Sequence, residues 1–406
     1  MKPYSAIAAL LASAFLLIAG NGLVNVLTPL RAKIEGFPEL TIGLLGSIYF
    51  GGMLAGTLAT PFIVRRAGHI RAFSALVAGA VVTVILLPTI VQPMVWLILR
   101  GGLGFVFAGL YAVIESWINA KATNSNRGAL YGFYQIVAYA ASAGGQLSLT
   151  LSAPTSFVGF TIGGALLALS TIPLALTNAD APVQPHSARL RLGWLIRLSP
   201  VGALAAFLVG AANGAYTALG PVFALGAGLS PQAAPLFTTA VTLGSAIGVY
   251  PAGRLSDVLD RRAMIASLSA VGALFEIALW FSHAGGAALI ALGFAVGLTT
   301  FTLYTLTTSH ANDHARTHEM VEVSTGLLFL YCAGAIIAPT LAAALMRAFG
   351  PGALYGQNAV THLALAAFAL WRYVTVARVD RSPILHSEGT SAAAPGPPEG
   401  EAPLSP

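Results

Sequence analysis

The chain has 406 residues, of which 56% are hydrophobic and only 8% charged, with a formal net charge of +6. Ordinary soluble domains carry about 25% charged residues, so water is excluded as the main solvent and a lipid bilayer takes its place. The basic residues are scattered through the breaks between apolar runs, which excludes a nucleic-acid-binding face, and the single cysteine, Cys332, sits inside an apolar run, which excludes a disulfide framework or a zinc spacing.

A helix needs roughly 20 apolar residues to cross the hydrocarbon layer, and breaks at charged, Pro and Gly clusters divide the chain into twelve such spans. The first six are predicted at 5–30, 40–63, 70–91, 94–119, 129–152 and 156–178, forming an amino-terminal six-helix bundle over 1–178. The opening stretch is longer than a signal-peptide core and has no small-residue cleavage site, so it reads as a retained helix. Residues 179–196, rich in Pro, Arg, Ser and Gln, read as a solvated cytoplasmic linker. Six further spans at 198–224, 232–254, 263–283, 286–310, 320–346 and 352–376 form a carboxyl-terminal bundle over 197–376, and the low-complexity tail 377–406 is expected to be disordered. The fold class is therefore an all-α membrane protein of twelve transmembrane helices in two six-helix bundles.

The halves repeat. Asn21, Gly22 and Pro29 recur as Asn213, Gly214 and Pro221, and Gly52 and Gly56 recur as Gly244 and Gly248, all at an offset of 192, while the segment from Leu110 resembles that from Leu303 at an offset of 193. An even number of helices per copy makes this a parallel repeat. With both termini cytoplasmic, sixteen of the twenty Lys and Arg fall on the inner side, Arg31, Lys33 and Arg347 outside, and Arg100 within a span. The positive-inside rule thus orients the chain in the cell inner membrane with cytoplasmic termini.

In the loop after the eighth span, GRLSDVLDRR from Gly253 to Arg262 resembles the loop signature of the major facilitator superfamily, with Asp260 where its second glycine is usual; the first-half copy, PFIVRRAGHIR from Pro61, has Arg65 in place of the acid. Arg100 followed by GGLG resembles the family's Arg and Gly motif in the fourth span, whereas Gly144-Gly145-Gln146 does not meet its antiporter motif in the fifth. IESWINAKATNSNRGALYGFYQ from Ile114, with RRAGHIR and LSDVLDRR, resembles the YcaD-like branch of that superfamily. The resemblance covers residues 5 to 376 and implies the family's fold and a secondary transporter working by alternating access, with spans 1, 4, 7 and 10 lining the central cavity. Its expected partners are a small solute and the bilayer, with proton coupling allowed; it is expected to act as a monomer and without a cofactor.

On those lining spans stand the candidate substrate-binding residues Asn21, Asn25, Thr28, Arg100, Asn213, Tyr216, Thr217 and Tyr304, with Tyr139, Gln146 and Tyr331 as weaker candidates. Amides and small residues also hold membrane helices together, so each has a packing reading beside the binding one. Asn21 and Asn213 stand out because they recur beside glycines, where a helix is expected to loosen and expose backbone. Arg100 is costly in hydrocarbon and reads either as snorkelling or bonded to carbonyls, or as a cavity-facing cation for an anionic group. The loop signature reads as a gate: an acid and several arginines form ion pairs that lock one face, involving Arg254, Asp257, Asp260, Arg261 and Arg262 in the second half. The first-half loop lacks its acid, so Glu115 on span 4 is predicted to latch to Arg65, Arg66 or Arg71, the alternative being that these arginines serve topology and lipid contact. Glu276 and His362 lie on spans that are peripheral in this fold and are expected to make structural polar contacts. Spans 1, 7 and 10 carry no mid-depth acid. Glu319, Glu322, His314 and His318 read either as a pH-sensing group or as a surface cluster that is only solvated, and His318-Glu319 does not complete HExxH because Glu322 holds the last position. No lysine follows a phosphate-cradling glycine loop, which excludes an ATP-driven pump within the chain. A non-transporting receptor or scaffold on the same fold remains the alternative function.

Overall fold

The structure is a computed structural model that describes residues 3–121, 127–176, 190–282 and 286–376. The expected disordered tail and most of the linker therefore lie outside the described residues, as does Arg189. Every regular element among the described residues is a helix, and the long ones form twelve rods. Spans 1 to 5 are Pro3–Ile34, Glu39–Ala67, His69–Thr89, Pro93–Lys121 and Arg127–Ser148, and span 6 runs as Val158–Leu169 and Thr171–Ala175. Spans 7 to 9 are Pro200–Gly226, Ala234–Val258 and Arg261–Trp280, span 10 runs as Ala287–Thr300 and Thr302–Asn312, and spans 11 and 12 are Met320–Phe349 and Ala353–Thr375. Ten of these are long and apolar enough to cross a membrane on composition alone. Spans 5 and 12 fall short of that because one face of each is polar: Gln135, Tyr139, Ser142 and Gln146 on span 5, Tyr355, Asn358 and His362 on span 12.

With twelve rods, the start of span 1, the end of span 12 and the facing ends of spans 2 and 3, 4 and 5, 6 and 7, 8 and 9, and 10 and 11 lie at one end of the bundle, here called the terminal end; the other is the far end. A short helix, Leu192–Leu198, leads from the linker into span 7. Its Leu195 fills the space left by Gly326, and Arg191 pairs with Glu322 of span 11 at 3.5 Å, so the surface cluster includes one structural anchor. At the far end two of the cations that break the charge asymmetry are neutralised locally, Arg31 by Glu35 at 2.5 Å and Lys33 by Glu39 at 2.7 Å.

The sequence repeat is a packing repeat. A Cβ added at Gly52 or Gly56 of span 2 would collide with the backbone of span 4 at Gly101 and Phe105, and one at Gly244 or Gly248 of span 8 with the backbone of span 10 at Phe294 and Leu298. Each contact is the other displaced by 192 and 193 residues. Backbones brought this close gain van der Waals contact that lipid cannot supply, which is why small residues hold membrane helices together. Gly22 likewise packs on Ser142 of span 5, and Gly214 on Ala335 of span 11. Spans 1 and 7 run unbroken through Asn21-Gly22 and Asn213-Gly214. The expected loosening there does not occur; the glycines admit a neighbouring helix instead.

The two halves meet along span 2 against span 11 and span 5 against span 8. Among the described residues two side-chain pairs join them by hydrogen bonds: Ser47 and Thr340 at 2.8 Å, and Gln146 with Thr242, where Nε2 donates to Oγ1 at 3.1 Å and Oγ1 to Oε1 at 3.3 Å. All four residues lie within nine residues of the far-end terminus of their helices. Gly43 packs against Pro339 and Ala343, and Gly46 against Ala218 and Pro339, so the far end is closed by direct helix contact.

Candidate functional site

Between the halves lies a cavity of about 370 Å³, lined from spans 1, 4, 5, 7, 8 and 10. Toward the far end its wall consists of Gln146, buried, and Thr242; toward the terminal end Gln135 is exposed. Of the predicted residues, Asn21, Asn25, Tyr216 and Thr217 line it, as do the weaker candidates Tyr139 and Gln146.

A chain of hydrogen bonds connects one wall to Arg100. Arg100 Nη1 donates to Asn25 Oδ1 at 3.1 Å, Asn25 Nδ2 to Asn21 Oδ1 at 3.1 Å, and Asn21 Nδ2 to Tyr111 Oη at 2.7 Å. The guanidinium also lies over the Tyr49 ring, 4.3 Å from its centroid. Arg100 is 3% exposed and has no carboxylate partner among the described residues, and its Nε has no hydrogen-bond partner. It neither snorkels to the surface nor lines the cavity. It stands one amide behind the wall, where a charge in a low-dielectric setting is felt more strongly than in water, and gives this side of the cavity a positive potential.

The opposite wall is organised around Tyr216, whose hydroxyl donates to Thr238 O at 3.4 Å and whose ring meets Phe301 edge-on at 5.6 Å. Besides Arg100, three predicted residues lie outside the lining. Thr28 is buried, and its hydroxyl donates to Val24 O at 2.7 Å, the cheapest partner a helix offers. Asn213, the repeat partner of Asn21, is buried with its Oδ1 unpartnered. Tyr304 packs edge-on against Tyr331 at 5.0 Å, and the Thr side chains flanking it, Thr302, Thr307 and Thr308, donate to their own helix. The polar lining residues that sequence reasoning passed over are Gln135 and Ser142 on span 5, Thr238, Thr242 and Ser245 on span 8, and Tyr111 on span 4. A signal for them existed: positions 135, 139, 142 and 146, and 238, 242 and 245, are polar stripes at helical spacing in otherwise apolar spans.

At the terminal end the two loop signatures differ. Gly68 makes a one-residue turn between spans 2 and 3 at φ 79°, a conformation that favours glycine. Its repeat partner, Asp260, has φ −66° and caps span 9 through the Arg262 backbone N–H at 2.8 Å, so this turn needs no glycine. Asp260 also holds the Arg262 guanidinium at 3.2 and 3.0 Å, and Arg262 Nη1 donates to Arg372 O and Val376 O at the end of span 12. Arg261 joins Asp257 at 3.5 Å to Asp313, below span 10, at 3.2 Å. Arg254 lies over Tyr250 at 5.0 Å. These contacts all stay within the second half.

In the first half Arg65, Arg66 and Arg71 are exposed, and Glu115 pairs with none of them among the described residues. The expected latch is not formed in this arrangement. His69 Nε2 and Ser116 Oγ, 3.3 Å apart, make the contact there, and Glu115 is exposed within electrostatic reach of Tyr134 and of Tyr304 on the other half. Among the described residues no three His, Cys, Asp or Glu side chains stand together as metal ligands would.

The family model of the Major Facilitator Superfamily matches residues 10–325 and 202–397. The chain belongs to the major facilitator superfamily. It is 27% identical over 353 residues to an MFS-type transporter, Ent638_1421, of Enterobacter sp. (strain 638), and 27% identical over 353 residues to the MFS-type transporter YcaD of Salmonella newport (strain SL254), covering in each case 85% of this chain and 90% of the relative. The resemblance to YcaD read from the motifs thus extends along the sequence. Among solved structures it is similar to the nucleoside transporter NupG, with a TM-score of 0.75 at 13% identity over 92% of this chain and 99% of that one. It is also similar to a bacterial homolog of the human lysosomal transporter Spinster in an inward-facing, occupied conformation, with a TM-score of 0.75 at 16% identity over 92% and 98%. The major facilitator fold, with its two six-helix bundles, is the fold described above.

Proposed function

We propose that the protein is a secondary active transporter that carries a small polar or anionic solute across the cell inner membrane by alternating access, with both termini in the cytoplasm. The observation that carries this reading is the cavity between the halves, bounded at the far end by Gln146 and Thr242, in a bundle whose far end is held shut by the contacts of Gly43, Gly46 and Ser47 with spans 7 and 11. Rocking one half on the other would part those contacts and bring the terminal ends together. The solute would meet Asn21, Asn25, Gln146, Tyr216 and Thr217, with Arg100 supplying a positive field behind Asn25. In the alternate state Glu115 would face the Arg65, Arg66 and Arg71 cluster as that end closes, and the Asp257–Arg261–Asp313 link would brace spans 8 and 10.

A thermal-shift screen of the purified protein over anionic metabolites, neutral metabolites and drugs supplies the ligand, and cysteine accessibility from each membrane face supplies the mechanism. Ligand-dependent exchange of accessibility between the faces is expected, together with loss of the thermal shift in Arg100→Ala. A protein whose accessibility stays fixed across the whole panel would be a receptor or scaffold on this fold. For the latch, Glu115→Gln is expected to change exchange rates and terminal-end accessibility; unchanged values would remove it.

A further inference from the structure

Spans 9 and 12 contribute no residue to the cavity lining, yet they carry a buried titratable pair. They approach closely because Gly352 and Gly356 leave room for Trp280; a Cβ on Gly356 would fall 2.9 Å from the indole ring. Beneath this contact His362 Nδ1 and Glu276 Oε2 lie 2.8 Å apart, and both side chains are 0% exposed. The structural contact expected for these two residues is therefore made, and they make it with each other across 86 residues of sequence.

Two features go beyond a structural contact. First, Glu276 Oε1 and His362 Nε2 are buried with no hydrogen-bond partner, and the same holds for Tyr355 Oη and Asn358 Oδ1 on the same face of span 12. Buried polar atoms are normally paired, and a carboxyl and an imidazole are the costliest pair to place in hydrocarbon when two amides would make the same bond without an ionisable proton. Second, a tyrosine stands near both the pair and the cavity: Tyr355, from span 12, lies within electrostatic reach of Glu276 and of Tyr216, a lining residue of span 7, and hydrogen-bonds to neither. From span 9 and span 12 themselves the facing groups are Glu276, His362 and Tyr355. Spans 7, 8, 10 and 11, which also pack against these two, bring no charged side chain to act on Glu276 among the described residues.

The proton count gives this arrangement its character. With one proton on the carboxyl and one on the imidazole the pair is neutral, and moving the first across the 2.8 Å contact gives carboxylate and imidazolium, neutral again. Loss of one proton leaves a net charge of −1 and gain of one leaves +1, with no nearby ion to offset either. A change of load must then be matched by a change of conformation or hydration around the pair, which is the conditional proton binding that a proton-coupled cycle requires.

We propose that the Glu276–His362 pair is a proton-binding site of the second half that loads and unloads during the transport cycle, exchanging with the central cavity by way of Tyr355 and Tyr216. The proposal rests on the transport reading above, but its first test needs no solute. In the full-length protein in lipid nanodiscs, infrared difference spectra taken between about pH 5 and 8, the range in which an imidazole changes charge, are expected to show a carboxyl or carboxylate band that titrates and is lost in Glu276→Gln. In His362→Gln the midpoint of that band is expected to move by about one pH unit or more. Should Glu276→Gln fail to fold, the ring nitrogens of 15N-histidine-labelled wild-type protein, with His362 assigned through His362→Gln, must titrate with the same midpoint. A pair whose bands and ring nitrogens stay fixed across that range would overturn the proposal and leave a structural contact. Tyr355→Phe is expected to slow the response to a pH jump several-fold at an unchanged midpoint, and an unchanged rate would overturn the Tyr355 route. A fixed pair beside intact ligand-driven switching would sink this site alone, whereas a titrating pair without such switching would sink the transport reading.

Discussion

Gly46 offers the sharpest test of the far-end closure. A Cβ at this position would collide with Ala218 of span 7 and stand 3.3 Å from Pro339 of span 11, and both neighbours are themselves held by helix backbone, so neither yields easily. Gly46→Val should therefore penalise the closed far end by the usual cost of overpacking, about 1–3 kcal/mol. If the alternate state separates these helices, the penalty falls on one state only, and the equilibrium shifts by about 5- to 150-fold. The assay uses Thr217→Cys in a Cys332→Ser background as the reporter, since Thr217 lines the cavity and takes part in none of the interhelical hydrogen bonds described above. Alkylation by a membrane-impermeant reagent from the face opposite the termini should rise by that factor in Gly46→Val. Gly51→Val, where a Cβ meets nothing within 4 Å, should leave it unchanged. A lower melting temperature with no gain in alkylation would refute the argument, because the substitution would then have destabilised every state equally.

Replacing Arg262 by Gln should cost about 3–5 kcal/mol, because Asp260, only 7% exposed, loses its ion partner and span 12 loses the donor to its last carbonyls; Asp260→Asn, which keeps a capping oxygen, should cost less, and thermal unfolding of the two variants checks the order. Arg100→Met keeps the volume while removing an unpaired charge, so the melting temperature is expected to hold while the thermal shift given by an anionic ligand disappears; a retained shift would detach Arg100 from binding. A double-mutant cycle of Gln146→Leu with Thr242→Val should show a coupling of about 0.5–1.5 kcal/mol, present in the far-end-closed state and lost when ligand opens it.

Much of the candidate site was legible, and the part that was not has a common cause. Asn21, Asn25, Tyr216 and Thr217 were found because polar side chains on lining spans stand out against an apolar background. Thr28 and Tyr304 stood out in the same way but point elsewhere, since a threonine hydroxyl is satisfied by the carbonyl four residues back and a tyrosine ring by another ring. Span 8 was overlooked because its Thr238, Thr242 and Ser245 differ little in polarity from threonines that merely bond their own helix, and only the facing Gln146 gives Thr242 its role. The latch between Glu115 and the arginines depended on how the terminal ends sit relative to each other, a property of conformation rather than of composition.

By itself the sequence determined the solvent, the number of spans, the charge asymmetry and the parallel repeat. These follow from quantities that add up locally: transfer of apolar residues out of water, the cost of moving cations across a membrane, and the need for glycine wherever two backbones touch, which is why Gly52, Gly56, Gly244 and Gly248 recur in register. The tertiary structure decided how each helix is rotated about its axis and which helix it faces. That choice is made by the packing of all neighbours together, and it alone placed Arg100 behind Asn25, closed the far end on Gly46, and brought Glu276 against His362 with no water-exposed surface on either.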